Sequence, residues 1–403
     1  MDQVFELIES RREAIIALLQ QFVRIPSPTG SEGALAAFLH DRLQQIGLDT
    51  FTNPLGDVTG VSKGARPVFL LNTHLDQAEA GDMQDAFAGV ILDGEPFGVT
   101  GPVVYGRGTN GQKASLAAMV GAAQAVLDAG IPLRTGFAIN AGVMEECGGH
   151  LSPRQLLEKD QLPVMAVLSG EHTDLKPVNG HRGMLHIHLR ITGKGAHAAA
   201  PAGSSSALTG MARVILALEQ LNTGLPKDPR YGEALVSLNR LTVTPNIVNA
   251  IPDLCEGIVD VRHPASVPRE TIIPTITACI AAAVASQPGL DHTAEVKQRP
   301  VRSYTGFEGT SDGSMLPFFT PPDDALVTAL ADCIQAVTGE RPAPRLWTIS
   351  SETGYFSTEA GLPVVAFGPG EDRFTHNRFE HVKVEDVITT TKVYAAMILK
   401  MCA

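Results

Sequence analysis

The chain has 403 residues, 44% of them hydrophobic, and a formal net charge of −12 at pH 7. That length allows two domains and a large core, and a mean hydropathy of +0.08 is that of an ordinary globular chain. The acidic balance argues against nucleic acid and anionic membrane surfaces as partners, and no apolar run approaches the ~18 residues of a membrane span.

The first residues, Met1-Asp2-Gln3-Val4-Phe5-Glu6, lack a charged segment followed by an apolar core, so no secretory signal is expected. Cys147, Cys255, Cys279, Cys333 and Cys402 are scattered, odd in number and without Cys-x-x-Cys spacing. Free thiols in a reduced compartment, by default the cytoplasm, follow from that usage.

Residues 4–24 predict one amphipathic helix, with Phe5, Ile8, Ile15, Leu18, Leu19 and Phe22 at helical spacing. Ile25-Pro26-Ser27-Pro28 ends it, and a second helix is expected from Ser31 to about Ile46, stopped by Gly47. Short strands around 49–53 and 58–62 lead to the apolar run Val68–Leu71, which reads as a buried parallel strand running into His74-Leu75-Asp76. Side chains two apart on a strand point the same way, so His74 and Asp76 share a face. Open α/β sheets place their sites at such carboxyl ends. Residues 77–104 are Gly-rich and predict a long loop. Gly106-Arg107-Gly108 then precedes an Ala-rich helix over about 114–129. A strand over 136–143 runs into Glu145-Glu146, a helix is expected near 153–159, and a buried strand over 164–168 runs into Gly170-Glu171-His172. This alternation predicts an α/β fold, a mostly parallel twisted sheet with helices on both faces.

The pattern changes near residue 180. Met184, His186, His188 and Arg190 alternate with Leu185, Ile187, Leu189 and Ile191, as in a half-exposed antiparallel strand. Further alternating stretches at 234–244 and 255–262, with helices over 203–221 and 269–285, define an inserted α+β unit, residues 180–292. The first domain then comprises 1–179 and 293–403, the latter with a helix over 322–338, a buried strand over 363–367 and a closing helix over 384–401.

Acid or imidazole groups thus gather at several strand ends: His74 and Asp76, Glu145 and Glu146, Glu171, and His376 after Gly368-Pro369-Gly370. Two imidazoles and several carboxylates form an N/O donor set suited to Zn²⁺, and also to Mn²⁺ or Co²⁺. A bound metal lowers the pKa of its water from about 15.7 to about 7, and a free carboxylate beside it can carry the proton to a leaving nitrogen. Asp76 is placed to fix the tautomer of His74.

In ordered succession, His74-Leu75-Asp76, Gly106-Arg107-Gly108, Glu145-Glu146, Gly170-Glu171, Gly195-Ala196-His197, Asn249-Ala250-Ile251-Pro252, Asp260-Val261-Arg262, Gly368-Pro369-Gly370 and His376 with Glu380 resemble one family over nearly the whole chain. It is the metallopeptidase and deacylase family of acetylornithine deacetylase, succinyl-diaminopimelate desuccinylase, aminoacylase and glutamate carboxypeptidase. The resemblance implies that His74 and Glu171 hold one metal and Glu146 and His376 a second, with Glu145 the general base and Asp76 the orienter of His74. It implies that residues 180–292 form a lid that makes a homodimer or higher homo-oligomer and sends His197 into the partner's site as an oxyanion donor. Asn249 and Arg262 would contact substrate.

The resemblance departs at one position: the family's metal-bridging Asp falls on Gly111. Two dications ~3.5 Å apart repel by roughly 19 kcal/mol at an effective dielectric of 20. Without that carboxylate, one metal per chain is expected, held among His74, Glu146, Glu171 and His376, the alternative being two metals with the missing charge supplied by substrate or another side chain. Asn110 or Gln112 offers only a neutral oxygen, while His150 and His172 near the acidic strand ends are candidate replacement ligands. Arg182 at the domain hinge suits a substrate carboxylate or hinge packing, and Trp347, Tyr355 and Phe356 suit core packing or a pocket wall. The expected activity is hydrolysis of a C–N bond in a small anionic substrate, of the N-acyl amino acid or short-peptide type. Alternatives are an aminohydrolase of an aryl amine, nitroanthranilate-like, and a non-catalytic small-molecule-binding relative.

Overall fold

The strand Ala65–His74 shows why the chain builds around one sheet. Its last seven residues are all buried. Phe69 and Leu71 join the large core of 56 residues on one face, while Val68 and Leu70 join a smaller cluster of 12 on the other. A strand apolar on both faces must be covered on both, which is the parallel-sheet condition. The computed structural model describes residues 1–403. The central sheet runs in the order Asp49–Thr52, Val58–Val61, Thr135–Gly142, Ala65–His74, Val164–Ser169, Val364–Ala366, Val178–His181, Phe318–Phe319, with Arg345–Trp347 beside Val178–His181. Ala65–His74 is parallel to both of its neighbours, and Val364–Ala366 is parallel to Val164–Ser169.

Helices Arg12–Arg24, Gln112–Asp128 and Val384–Cys402 pack over the larger core. Their approach is close: a Cβ on Gly121 would lie 3.0 Å from the Ile15 side chain and 3.2 Å from Thr391. The small residues along Gln112–Asp128 therefore act by bringing helix backbones together.

The inserted unit has its own four-stranded antiparallel sheet, ordered Leu235–Thr244, Leu254–His263, Gly183–Thr192, Asp291–Glu295. Leu185, Ile187, Leu189 and Ile191 face helices Ala207–Asn222 and Arg269–Ala285 in a separate core of 19 buried residues. The alternate positions His186 and His188 are half-buried, and His186 Nε2 lies 3.2 Å from Asp260 Oδ2. Because Asp291–Glu295 pairs with Gly183–Thr192, this sheet continues past residue 292.

Several local expectations fail, among them the 203–221 helix, which starts only at Ala207. The 4–24 helix is broken at Arg11 (φ −109°) into Asp2–Ser10 and Arg12–Arg24. The expected 77–104 loop holds strands Val90–Asp93 and Pro102–Tyr105, the latter paired with His381–Lys383. Val90–Asp93 is largely exposed, so its residues carry little hydrophobic alternation. The 153–159 helix begins at Leu151 and widens into a π turn over Gln155–Lys159. The 322–338 helix starts at Ala325, where Asp324 Oδ1 accepts the Leu326 N–H at 2.8 Å. All five cysteines are unpaired, and no helix is long and apolar enough to cross a membrane.

Candidate active site

Sheet register brings the chemical groups to one edge. His74 pairs with Gly142, Asn72 with Ser169, and Ser169 with Ala366. The segments leaving these strands therefore begin level with one another. A polar pocket at this edge is lined by His74, Glu145, Glu146, Glu171, His172 and His376, with Gln112, Trp347 and Ser351 on its walls.

Asp76 is the hub. Its Oδ1 accepts the Glu145 N–H at 3.0 Å and lies 3.2 Å from His74 Nδ1. Its Oδ2 accepts the Glu146 N–H at 3.0 Å and the Thr29 hydroxyl at 2.8 Å. One fully buried carboxylate thus orients the imidazole and the backbone of the Glu pair. With Nδ1 on Asp76, His74 is left with Nε2 for the pocket. Met144, just before the pair, has φ +64°. That left-handed conformation is rare for a bulky side chain and costs of order 1–3 kcal/mol. The two amides on Asp76, and the Met144 N–H donated to Glu32 Oε1 at 3.2 Å, hold it there.

The electrostatics are those of carboxylates crowded out of water. Burial, together with Glu146, Glu171 and Asp76, pushes the Glu145 carboxyl up to about 8 against the opposing pull of His74. Burial and Glu146 push Glu171 up to about 7, again against His74. Burial disfavours a charged His74 ring, but Glu145, Asp76 and Glu171 together hold its pKa well above the usual value. Burial likewise works against the Asp76 carboxylate, yet His74 and the amide donors keep its pKa below the usual value. His376, with φ +56°, lies with Nε2 3.1 Å from Glu146 Oε1, and that hydrogen bond raises its pKa. In this arrangement no three His, Cys, Asp or Glu close into a finished ligand cage. His74 Nδ1 and His376 Nε2 instead each lie against one carboxylate, Asp76 and Glu146.

The Gly-rich loop proves to be a clamp rather than a donor. Arg107 Nη1 meets Glu380 Oε2 at 2.5 Å, with side chains only 4% and 3% exposed. Glu380 Oε1 accepts the N–H groups of Gly108 and Asn110. Asn110 Nδ2 donates to the Glu371 carbonyl and the Thr375 hydroxyl, and its Oδ1 accepts the Glu371 N–H. The Asn110 amide is thereby committed to fixing the segment that carries His376. Gln112 stays on the pocket wall, with Nε2 3.4 Å from the Asp76 carbonyl.

His74, Asp76, Glu145, Glu146, Glu171 and His376 are therefore brought together, and four other expected residues lie elsewhere. His197 pairs with Ala250, and the Ala198 N–H donates to the Asn249 carbonyl, so His197 and Asn249 share a different concavity on the inserted unit. Arg262 is paired with Asp260 at 2.8 Å. Arg182 turns its guanidinium onto the Tyr231 carbonyl while its own carbonyl accepts the Ser350 hydroxyl. Two residues escape sequence reasoning. Thr29 has no pattern marking it. Glu352 is buried with Oε1 unpaired, its N–H donates to Glu145 Oε1, and burial and Glu145 raise its carboxyl pKa well above the usual range. It lies in a polar stretch, Ser350-Ser351-Glu352-Thr353, that carries no hydrophobic pattern to mark it.

Residues 70–400 match the model of peptidase family M20/M25/M40, and the chain belongs to that family. It is accordingly a hydrolase acting on amide-type C–N bonds. A succinyl-diaminopimelate desuccinylase from Methylorubrum extorquens is 26% identical over 95% of this chain and 97% of its own length. The uncharacterized protein YgeY of Escherichia coli K12 is 25% identical over 99% and 97%. Among solved structures, an M20 family metallo-carboxypeptidase from Sulfolobus solfataricus superposes with a TM-score of 0.75 at 16% identity, covering 95% of this chain and 98% of that one.

Proposed function

We propose that the chain is a metal-dependent hydrolase of small anionic amides, N-acyl amino acids or short peptides, working with one Zn²⁺ or Mn²⁺ per chain. The observation that carries this reading is the buried acidic pocket itself. Carboxyl groups forced to pKa values of about 7 and 8 around His74 are a field that a dication relieves. His74, Glu146, Glu171 and His376 would hold the ion, which supplies Lewis acidity toward the scissile carbonyl and water. Asp76 keeps His74 in the tautomer that presents Nε2. Glu145, next to the ligands but fixed through its backbone, takes the proton of the attacking water and returns it to the leaving nitrogen. Gly111 carries no carboxylate with which to bridge a second ion, and Asn110 is already committed.

The pocket offers an anionic substrate little positive charge of its own, since Arg107 is spent on Glu380. We assign the oxyanion donor to His197 of a second copy, with Asn249 and Arg262, the latter held by Asp260, contacting substrate. The edge strand Leu235–Thr244 exposes Leu235 and Leu241, Ile247 shares an exposed concavity with His197, and Val248 is bare next to it in the chain. Those apolar residues support homodimerisation through the inserted unit. Five free thiols support a cytoplasmic setting.

The test is metal content per chain, measured on protein purified without added metal and again after Zn²⁺ or Mn²⁺ loading. One ion per chain is expected, two refutes the single-metal centre, and none refutes the metal reading. Glu145→Gln should keep the ion and lose about 10²- to 10⁴-fold in turnover of N-acyl amino acids.

A further inference from the structure

We propose that His172 is itself a ligand of this metal, its Nδ1 lying beside the position that a side chain on residue 111 would take. The proposal deepens the metal-dependent reading and rests on it.

His172 follows Glu171 directly, where the strand Val164–Ser169 opens into the pocket. Its ring is 7% exposed, and Nε2 is buried without a hydrogen-bond partner. Nδ1 lies 3.9 Å from Glu171 Oε2. A Cβ built on Gly111 would stand 3.1 Å from that Nδ1 and 3.3 Å from the His172 amide. Gly111 also has φ +116° and ψ −99°, a conformation open to glycine and strained for other residues. A side chain at 111 would therefore crowd the His172 ring, which would have to give by a few tenths of an ångström; with glycine there, the imidazole lies unobstructed at the wall of the acidic pocket.

The far side of the ring faces a carboxylate just beyond hydrogen-bond reach. Nε2 lies 4.0 Å from Asp372 Oδ1, and that oxygen accepts the Trp347 indole N–H at 2.8 Å. Trp347 meets the ring edge-on at 4.8 Å. A proton on Nε2 leaves the Nδ1 lone pair free for the pocket, and closing the 4.0 Å gap to Asp372 would give the arrangement in which carboxylates orient ligating histidines. A purely structural histidine would be expected to satisfy its buried nitrogens within the protein. His150 does so in part: its Nε2 accepts the Leu316 N–H at 2.9 Å, in a cavity apart from this site. Of the two replacement candidates the sequence offers, only His172 faces the carboxylates.

The experiment is cobalt loading of the intact protein and of His172→Ala, His172→Asn and Asp372→Asn. Metal per chain, affinity, the visible ligand-field spectrum and the number of imidazole nitrogens from X-ray absorption are read for each. Both His172 variants should bind Co²⁺ with altered bands, one imidazole fewer and an affinity reduced by more than about 100-fold. Asp372→Asn should keep the imidazole count and lose about 10- to 100-fold in affinity, as partners behind a ligand do. Circular dichroism of the metal-free proteins checks folding, and His172→Asn keeps a polar group at the position should the alanine variant collapse. Unchanged spectrum, imidazole count and affinity in folded His172 variants overturn the proposal while leaving the metal-dependent reading intact. No cobalt uptake by the unmodified protein overturns both.

Discussion

Replacing Asp76 by Asn tests the centre at its hub. The carboxylate accepts from Thr29, Glu145 N–H and Glu146 N–H, and faces His74 Nδ1, at 2.8 to 3.2 Å. An amide has one accepting oxygen. With that oxygen at the Oδ1 position, the new NH₂ faces the Glu146 N–H and leaves it unpaired. In the flipped orientation it faces the Glu145 N–H, and His74 must bare Nδ1 and protonate Nε2, which takes Nε2 away from a metal. Either way one buried donor is orphaned, costing about 1–3 kcal/mol, and each surviving bond loses its charge assistance, about 1 kcal/mol apiece. We expect a loss of about 3–5 kcal/mol in urea unfolding at neutral pH, with metal affinity down about 10- to 100-fold. A folded variant within 1 kcal/mol of the parent, with unchanged metal affinity, would refute the hub role.

Further outcomes follow from the same geometry. Arg107→Met leaves Glu380 buried beside an apolar chain and should cost about 3–5 kcal/mol, read as a lowered thermal midpoint, with weakened metal binding because the His376 segment loses its clamp; an unchanged midpoint would contradict this. Burial raises the Asp57 carboxyl from 3.8 to about 7, so the folded state holds that proton more firmly. Its contribution is fully favourable below pH 3.8 and is lost as pH rises to about 7, by at most ~4 kcal/mol. Asp57→Asn should flatten the fall in stability between those pH values, and an unaltered slope in pH-dependent melts would show that Asp57 is not the group responsible. Chelation should abolish turnover and lower the melting temperature, and adding back Zn²⁺ or Mn²⁺ at 100 times Kd should return ~2.7 kcal/mol of stability; a chelated protein that melts unchanged would count against metal held by the fold.

The period-two alternation of Gly183–Thr192 and the apolar run ending at His74 made both sheets legible in the chain. So did the recurrence of acid and imidazole just after buried strands, because local hydrophobic periodicity and strand-end chemistry are written in adjacent residues. The break at Arg11 and the exposed strand Val90–Asp93 were not legible, since neither changes that periodicity. The roles of the polar residues depended wholly on tertiary structure. Arg107 and Glu380 are 273 positions apart, and Asn110 and Glu371 are 261 apart, yet together they fix the segment bearing His376. Sequence alone left His150 and His172 equivalent. Strand order and register turned one toward the Leu316 amide and the other over Gly111, because which buried polar atoms face each other is set by packing between distant segments. The sequence by itself determined which chemical groups the chain carries to one edge of its sheet; the fold decided which of them clamp the loops and which face the acidic pocket.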